Sequence, residues 1–331
     1  MVSIKDVAEA AGVSTATVSR VLSNGLHVRP KVRERVMAEV ERLGYRPNLV
    51  ARSLRSQQSN TIGLIVSDIR NPFFTSVSRA VEDTAYEQGF SVFLCNTDEN
   101  PEKEMIYLQL MRDEHVAGVI FSPTRQTLAS FAPTDLNFPL VVVDRSIPDR
   151  DVDVVQLDNV DAGYRLTAHL IENGYRRIAA LCGEMSTTGP ERRAGYEKAL
   201  RAHGLVPPAE QVKYIQPRIE AGYAATLKLL AAAQPPDALF TTNSLLAAGA
   251  LQAIRERNLG IPDEIALVAF DDTTWATLIQ PPLTLIAQPT YEIGKIATEL
   301  LLQRVADPGR PTRQVILKGQ LLVRGSSAPR R

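Results

Sequence analysis

Ile4-Lys5-Asp6-Val7-Ala8-Glu9-Ala10-Ala11-Gly12-Val13-Ser14-Thr15-Ala16-Thr17-Val18-Ser19-Arg20-Val21-Leu22 carries two short helical stripes on either side of a glycine. Ile4, Val7, Ala8 and Ala11 repeat at i, i+3, i+4 and i+7, the spacing that lines one face of a helix. Gly12 breaks that helix, and Ser14 is a natural N-cap for a second one, Thr15 to Leu22, with Val18, Val21 and Leu22 as its stripe. Two short helices joined by a glycine-containing turn form a helix-turn-helix. In that motif the N-terminal part of the second helix enters the DNA major groove. Thr15, Ala16 and Arg20 lie off the apolar stripe, where they would meet base edges. An arginine pairs bidentately with guanine, and a threonine or alanine touches a thymine methyl. A third helix is expected from about Lys31 to Leu43, opened by Pro30 and closed by Gly44.

The charge distribution agrees with a nucleic-acid partner. The 331 residues hold 37 basic and 37 acidic side chains and no formal net charge. Residues 1–60 alone hold ten Lys and Arg against five acids, leaving 27 basic and 32 acidic residues for the rest. A basic front on an acidic body suits a DNA-binding unit joined to a regulatory one.

Several other classes are disfavoured. The 19 glycines include no Gly-x-Gly pair, so the dinucleotide fingerprint is missing. There is no phosphate-binding Walker loop and no Gly-x-Ser-x-Gly elbow, and no enzyme activity or cofactor is expected. The four histidines are scattered without metal-ligand spacing. Cys95 and Cys182 sit in apolar runs and read as small buried hydrophobes, compatible with a reducing cytoplasm. The N-terminus has no apolar signal-peptide core, and no apolar run reaches membrane-spanning length. A transport-type binding protein would need the signal peptide and not the headpiece.

Ile4-Lys5-Asp6-Val7-Ala8, Ala11-Gly12-Val13-Ser14, Thr17-Val18-Ser19-Arg20-Val21-Leu22 and Gly44-Tyr45-Arg46-Pro47-Asn48 together resemble the headpiece of the LacI/GalR family of transcription regulators. The resemblance implies that Thr15, Ala16 and Arg20 read the major groove. It implies that Ser14, Thr17, Ser19, Asn24 and His27 hold backbone phosphates, with Tyr45 and Asn48 in the same motif. Residues 47–59 would be the hinge. The stretch from Asn48 to Leu54 is too short for a stable isolated helix. In the family this hinge orders on DNA, and a leucine wedges into the minor groove at the operator centre. Leu54 holds that place here, flanked by Ala51 and Arg55. An apolar wedge unstacks a base step and gains contacts from the bend.

From Asn60 onward the pattern alternates. Strand-like runs are expected at Ile62–Val66, Ser91–Cys95, Val116–Phe121 and Leu140–Val143, then at Arg177–Cys182, Ala238–Thr242 and Ile265–Phe270. Helical stretches lie between them, at Val77–Gln88, Glu102–Asp113, Tyr164–Asn173, Arg193–His203, Gly222–Ala232 and Leu245–Asn258. Such alternation gives parallel sheets with helices on both faces, and two rounds of it give two lobes. The expected architecture is therefore a small all-α helix-turn-helix headpiece plus an α/β two-lobed, periplasmic-binding-protein-like core of two doubly wound parallel sheets.

The domains are expected at 1–46 for the headpiece, 47–59 for hinge and linker, and 60–331 for the effector-binding and dimerisation unit. Within that unit the N-lobe takes about 60–157 plus 289–317, and the C-lobe about 160–286 plus 320–331. The chain would cross between lobes near Leu157–Asn159, Ile286–Pro289 and Leu317–Gln320. The resemblance runs to Arg324-Gly325-Ser326, the family's usual ending.

Ligands of doubly wound sheets bind at the carboxyl ends of the strands. The resemblance places there a polar-aromatic wall, Asn71-Pro72-Phe73-Phe74, then Asp144-Arg145, the arginine Arg192, and Asn243 and Asp271. Trp275 and Gln288 are further candidates. One of Phe73 and Phe74 is expected to be core alone, and a strand-end aspartate can simply cap a turn. The family often carries an aromatic before the helix near Gly222, whereas here Gln216-Pro217-Arg218 supplies no ring. Arginine, aspartate and asparagine match sugar hydroxyls, and an aromatic ring matches sugar C–H groups. Arg145 and Arg192 together would suit a sugar acid, while Asp144 and Asp271 offset them toward a neutral pentose or hexose.

The expected protein is thus a bacterial cytoplasmic, nucleoid-associated repressor of carbohydrate-utilisation genes. It would bind a palindromic operator as a homodimer, because two-fold protein symmetry demands two-fold DNA symmetry. No leucine heptad follows Arg324, so a dimer rather than a tetramer is expected. The alternatives are control by a partner protein or by a purine or sugar-acid corepressor.

Overall fold

The computed structural model describes residues 2–22, 28–45, 59–130, 136–147, 151–206 and 209–330. It divides into two compact units, Met1–Ser59 and Asn60–Arg331.

In the first unit α1 (Ile4–Ala10) opens on a capping box. The Ser3 backbone N–H donates to Asp6 Oδ2 at 2.8 Å, and the Asp6 N–H donates back to Ser3 Oγ at 3.4 Å. These bonds satisfy donors that a helix start otherwise leaves orphaned. They also hold the Asp6 carboxyl below its ordinary range. Gly12 takes φ +60°, the left-handed conformation that suits glycine, and turns the chain into α2 (Thr15–Leu22). Ser14 caps α2, accepting from the Thr17 N–H at 3.2 Å. Then α3 (Pro30–Arg42) closes a core of Val7, Ala8, Ala11, Val18, Val21 and Val36.

The second unit holds two six-stranded sheets. The N-lobe contributes β1 (Thr61–Val66), α4 (Pro72–Glu87), β2 (Ser91–Asn96), α5 (Pro101–Asp113), β3 (Val119–Phe121), α6 (Arg125–Ser130), β4 (Leu140–Val143) and β5 (Asp153–Leu157). The C-lobe follows with α7 (Asn159–Glu172), β6 (Ile178–Gly183), α8 (Thr188–Ala202), β7 (Val212–Ile215), α9 (Ile219–Leu230), β8 (Ala238–Thr241), α10 (Ser244–Glu256), β9 (Ala266–Phe270), α11 (Thr274–Leu278) and β10 (Thr284–Ala287). The chain returns to the N-lobe for α12 (Thr290–Ala306) and β11 (Gln314–Leu317), and ends in the C-lobe with β12 (Gln320–Leu322).

The N-lobe sheet runs β11-β5-β4-β3-β1-β2, with every described pair parallel. The C-lobe sheet runs β12-β10-β9-β8-β6-β7 and is parallel except for β12, which is antiparallel to β10. Helices cover both faces of each sheet, so the central strands are apolar on both sides: Ile65 and Phe121 pack on one face, Leu64 and Ile120 on the other. The three passages between lobes fall at Asp158, at Gln288–Pro289 and at Lys318–Gly319.

Candidate functional site

The headpiece offers a second helix with its apolar side inward. Val18 and Val21 are buried, whereas Ser14, Ala16, Ser19 and Arg20 are exposed and Thr15 and Thr17 half-exposed. The side that a DNA duplex can reach therefore carries the polar and cationic groups. The Ser14 and Thr17 hydroxyls lie 2.9 Å apart, so the cap also fixes two hydroxyls side by side at the helix start. Such a helix N-terminus attracts a phosphate.

In the second unit, strand ends and helix starts of both lobes meet at a cleft of about 500 Å³, part of it open to solvent. The N-lobe wall begins with Asn71. Its Oδ1 accepts from the Phe73 N–H at 3.1 Å and caps α4, so Phe73 and Phe74 sit in the first helical turn. Their rings lie edge to face with centroids 5.0 Å apart. Each is almost wholly buried, yet both line the cleft.

Asp144 follows β4 in the left-handed conformation, φ +64°. Burial pushes its carboxyl up to about 6, against the opposing pull of Arg145 and Arg192. Arg145 is 2 % exposed and spends its guanidinium on the protein. Nε donates to the Pro123 carbonyl at 3.1 Å, Nη1 to Asp144 Oδ2, and Nη2 to Ser67 Oγ at 2.9 Å. Nη2 also lies 3.4 Å from Glu99 Oε1. Glu99 is held in the left-handed region, φ +56°, and burial raises its carboxyl. Its Oε2 is buried with no hydrogen-bond partner.

The C-lobe wall centres on Arg192, in the first turns of α8 and 3 % exposed. Nε donates to Asn159 Oδ1 at 2.8 Å and Nη1 to the Thr242 carbonyl at 2.5 Å. The guanidinium carbon lies 4.0 Å from the Phe270 ring centroid. A charge so buried is retained because it is hydrogen-bonded and stacked. Asn243 caps α10, accepting from the Leu246 N–H at 2.8 Å, so its amide nitrogen is the group it has to offer. Asp271 ends β9 at φ +75°. Its Oδ1 accepts from Gln288 Nε2 at 2.6 Å and its Oδ2 from the Ser244 N–H at 3.3 Å. Gln288 Oε1 is buried without a partner.

A family model for bacterial regulatory proteins of the lacI family matches residues 3–48, and one for a periplasmic binding protein-like domain matches residues 167–327. The HTH-type transcriptional repressor PurR of Histophilus somni (strain 129Pt) is 34% identical over 331 residues, covering 98% of this chain and 99% of its own. The HTH-type transcriptional regulator DegA of Bacillus subtilis (strain 168) is also 34% identical, with 98% of each chain covered. The chain belongs to the LacI family.

Solved structures agree. The lac repressor dimer bound to operator and the anti-inducer ONPF superposes with a TM-score of 0.89 at 28% identity, over 99% of both chains. The transcriptional regulator CelR in complex with cellobiose gives 0.75 at 30% identity, over 98% of this chain and 100% of that one. This LacI-family protein is a DNA-binding transcriptional repressor, not an enzyme.

Nine of the ten cleft residues singled out in the sequence come together: Asn71, Phe73, Phe74, Asp144, Arg145, Arg192, Asn243, Asp271 and Gln288. Trp275 does not join them. The short helix α11 carries it into a neighbouring apolar pocket with Pro72, Leu251 and Ile279, and Leu245 forms the partition that lines both. Phe73 and Phe74 share the roles of core and wall, so neither is core alone. Arg145 is present but committed to the protein, which removes it as a carboxylate binder.

Asp68, Glu99, Ser186 and Thr188 line the cleft without having been singled out. Glu99 lies beyond the end of β2 in Asn96-Thr97-Asp98-Glu99, so its position past a strand end was a usable signal. In the headpiece, Ser14, Thr15, Ala16, Thr17, Ser19, Arg20 and Tyr45 are described. Asn24, His27, Asn48, Ala51, Leu54 and Arg55 lie outside the described residues.

Proposed function

We propose that the repressor is controlled by a neutral, polyhydroxylated sugar held between the two lobes. The observation that carries this is the pair of buried, partnerless acceptors Glu99 Oε2 and Gln288 Oε1, beside the Asp144 and Asp271 carboxylates. Buried acceptors without partners cost free energy until a donor arrives. Sugar hydroxyls are such donors, whereas a phosphate or carboxylate brings only further acceptors. Arg192 supplies a fixed cation for hydroxyl oxygens, and the Phe73 and Phe74 rings supply an apolar surface for C–H groups. Four carboxylates, Asp68, Glu99, Asp144 and Asp271, line the cleft against two guanidinium groups, one of which, Arg145, is consumed, and this balance disfavours an anionic effector. The sugar named in the CelR complex supports the same class.

Thr15, Ala16 and Arg20 read the operator, and the polar residues Ser14, Thr17 and Ser19 hold its backbone. The headpiece spans 1–46, the hinge 47–59 and the effector unit 60–331. Two copies pair so that their headpieces address a palindromic site. The outer edge of β2, unpaired among the described residues, with Phe93 46 % and Leu94 48 % exposed, supports such pairing in the effector unit. The repressor acts on the bacterial nucleoid, at carbohydrate-utilisation genes.

Calorimetric titration of the full chain with pentoses, hexoses, disaccharides, sugar acids, sugar phosphates and purines tests this. Saturable heat from a neutral sugar supports the reading, and repeating the operator titration with that sugar gives the sign of control. Heat only from an anionic sugar or a purine replaces the effector class. No heat at all, with operator binding intact, moves control to a partner protein.

A further inference from the structure

Ser146 follows Asp144-Arg145 in the N-lobe, and Glu191 stands in the first turn of α8 in the C-lobe. Across the gap the Ser146 hydroxyl donates to Glu191 Oε1, and the Ser146 N–H donates to Thr187 Oγ1 at 3.1 Å. The second oxygen of Glu191 accepts from Asn159 Nδ2 at 2.8 Å. Asn159, 2 % exposed, accepts in turn from Nε of Arg192 at 2.8 Å. One unbroken series of side chains thus joins the N-lobe to the guanidinium that faces the cleft.

We infer that Glu191 is a positioning residue that clasps the lobes and at the same time sets Arg192. Its two carboxylate oxygens serve two purposes: one holds Ser146 of the opposite lobe, the other orients the amide that holds Arg192. The helices behind the clasp are in close backbone contact. A Cβ at Gly163 of α7 would lie 2.2 Å from the Arg192 carbonyl oxygen, and one at Gly195 of α8 would lie 2.1 Å from the Val160 carbonyl oxygen. Asn159 and Arg192 therefore shift together. Any ligand that draws Arg192 moves the carboxylate that Ser146 holds, and any separation of the lobes releases Asn159. The clasp converts occupation of the cleft into lobe spacing, which is the coupling an allosteric repressor needs.

This inference rests on the cleft being the effector site, but its test uses the full chain without any sugar. The readout is hydrogen exchange of the backbone at 144–147, with β8 as an internal reference and small-angle scattering for lobe spacing. Glu191→Ala is expected to speed exchange at 144–147 roughly tenfold or more, the factor that a lost charge-assisted hydrogen bond gives. It should also widen the molecule and leave β8 protected. Glu191→Gln retains an acceptor for Asn159 and a donor for Ser146, and it should restore most of the protection. Ser146→Ala should add nothing in the Glu191→Ala background. Unchanged exchange at 144–147, or equal acceleration in β8, would overturn the clasp. A cleft that bound no sugar would leave these results standing.

Discussion

Asp144 and Asp271 are counterparts across the cleft: each ends a strand of its own lobe with a left-handed backbone, φ +64° and +75°. Each N–H donates at 3.0 Å to the neighbouring strand, to the Val155 and Ile286 carbonyls. Aspartate tolerates that conformation better than most residues, and it lets the chain turn while the carboxylate stays at the strand end. Their surroundings differ. Asp144 is locked against Arg145, whereas Asp271 accepts from Gln288 and the start of α10.

The raised carboxyl of Asp144 predicts a pH dependence. Its ordinary value is 3.8 and burial brings it to about 6. A carboxyl raised by folding contributes stability that is full below about 4 and lost as pH rises through about 6. The free protein should therefore become more stable between pH 7 and pH 4 through this group. Effector affinity should move the other way, because hydroxyl donors need the ionised form. It is expected to fall about tenfold per pH unit below 6, measured by calorimetry from pH 7.5 to 5. Asp144→Asn should flatten that profile. An affinity constant across the range with Asp144 present would remove the carboxylate from recognition.

Arg192→Lys tests the geometry of the guanidinium. A lysine keeps the charge but cannot reach Asn159, the Thr242 carbonyl and the Phe270 face at once. Losing hydrogen bonds of a charged group costs about 1.5–3 kcal/mol each. Effector affinity should drop at least tenfold while operator binding without effector persists. Wild-type affinity in this variant would show that charge alone suffices.

The sequence made much of this architecture legible, and its failures have a common physical origin. The amphipathic pattern starts α4, α7 and α8 at Val77, Tyr164 and Arg193, whereas the helices begin at Pro72, Asn159 and Thr188. The first turns of α4 and α8 contribute to the cleft wall, and the first turn of α7 holds Asn159 against Arg192, so these residues do not follow the apolar stripe. Phe73, Asn159 and Arg192 lie in those turns. The segments β5, β7, β10, β11 and β12 are three to five residues long, too short for periodicity to separate them from loops. Helix α12 carries a readable stripe, Ile293, Ala297, Leu300 and Leu301, but lies beyond the last alternation of strand and helix. Trp275 lies five positions past the end of β9, close in sequence to Asp271 but outside the cleft. Here α11, whose buried residue is Ala276, carries it into the neighbouring apolar pocket.

On the DNA side, Arg20→Ala should relax preference at one base pair of each half-site, because the bidentate contact to guanine is worth about 1–3 kcal/mol of discrimination. Selection from a randomised operator library, compared with wild type at the same salt concentration, measures it. A preference profile unchanged at every position would remove Arg20 from base reading and leave it a phosphate contact.

Gly163→Ala separates a local packing fault from an effect on the cleft. The added methyl would stand 2.2 Å from the Arg192 carbonyl oxygen and 3.1 Å from its Cα, so α8 must retreat from α7 at that point. Overpacking of this kind costs about 1–3 kcal/mol of stability. Gly294→Ala is the matching fault in the N-lobe, with a methyl 2.5 Å from the Val77 carbonyl oxygen between α12 and α4. Both variants should melt at lower temperature by comparable amounts. Only Gly163→Ala pulls Arg192 from Asn159, so only it should weaken effector binding about tenfold or more. Equal losses of affinity in the two variants would mean that the cleft responds to general destabilisation, and that the contact between α7 and α8 has no special part in holding the arginine.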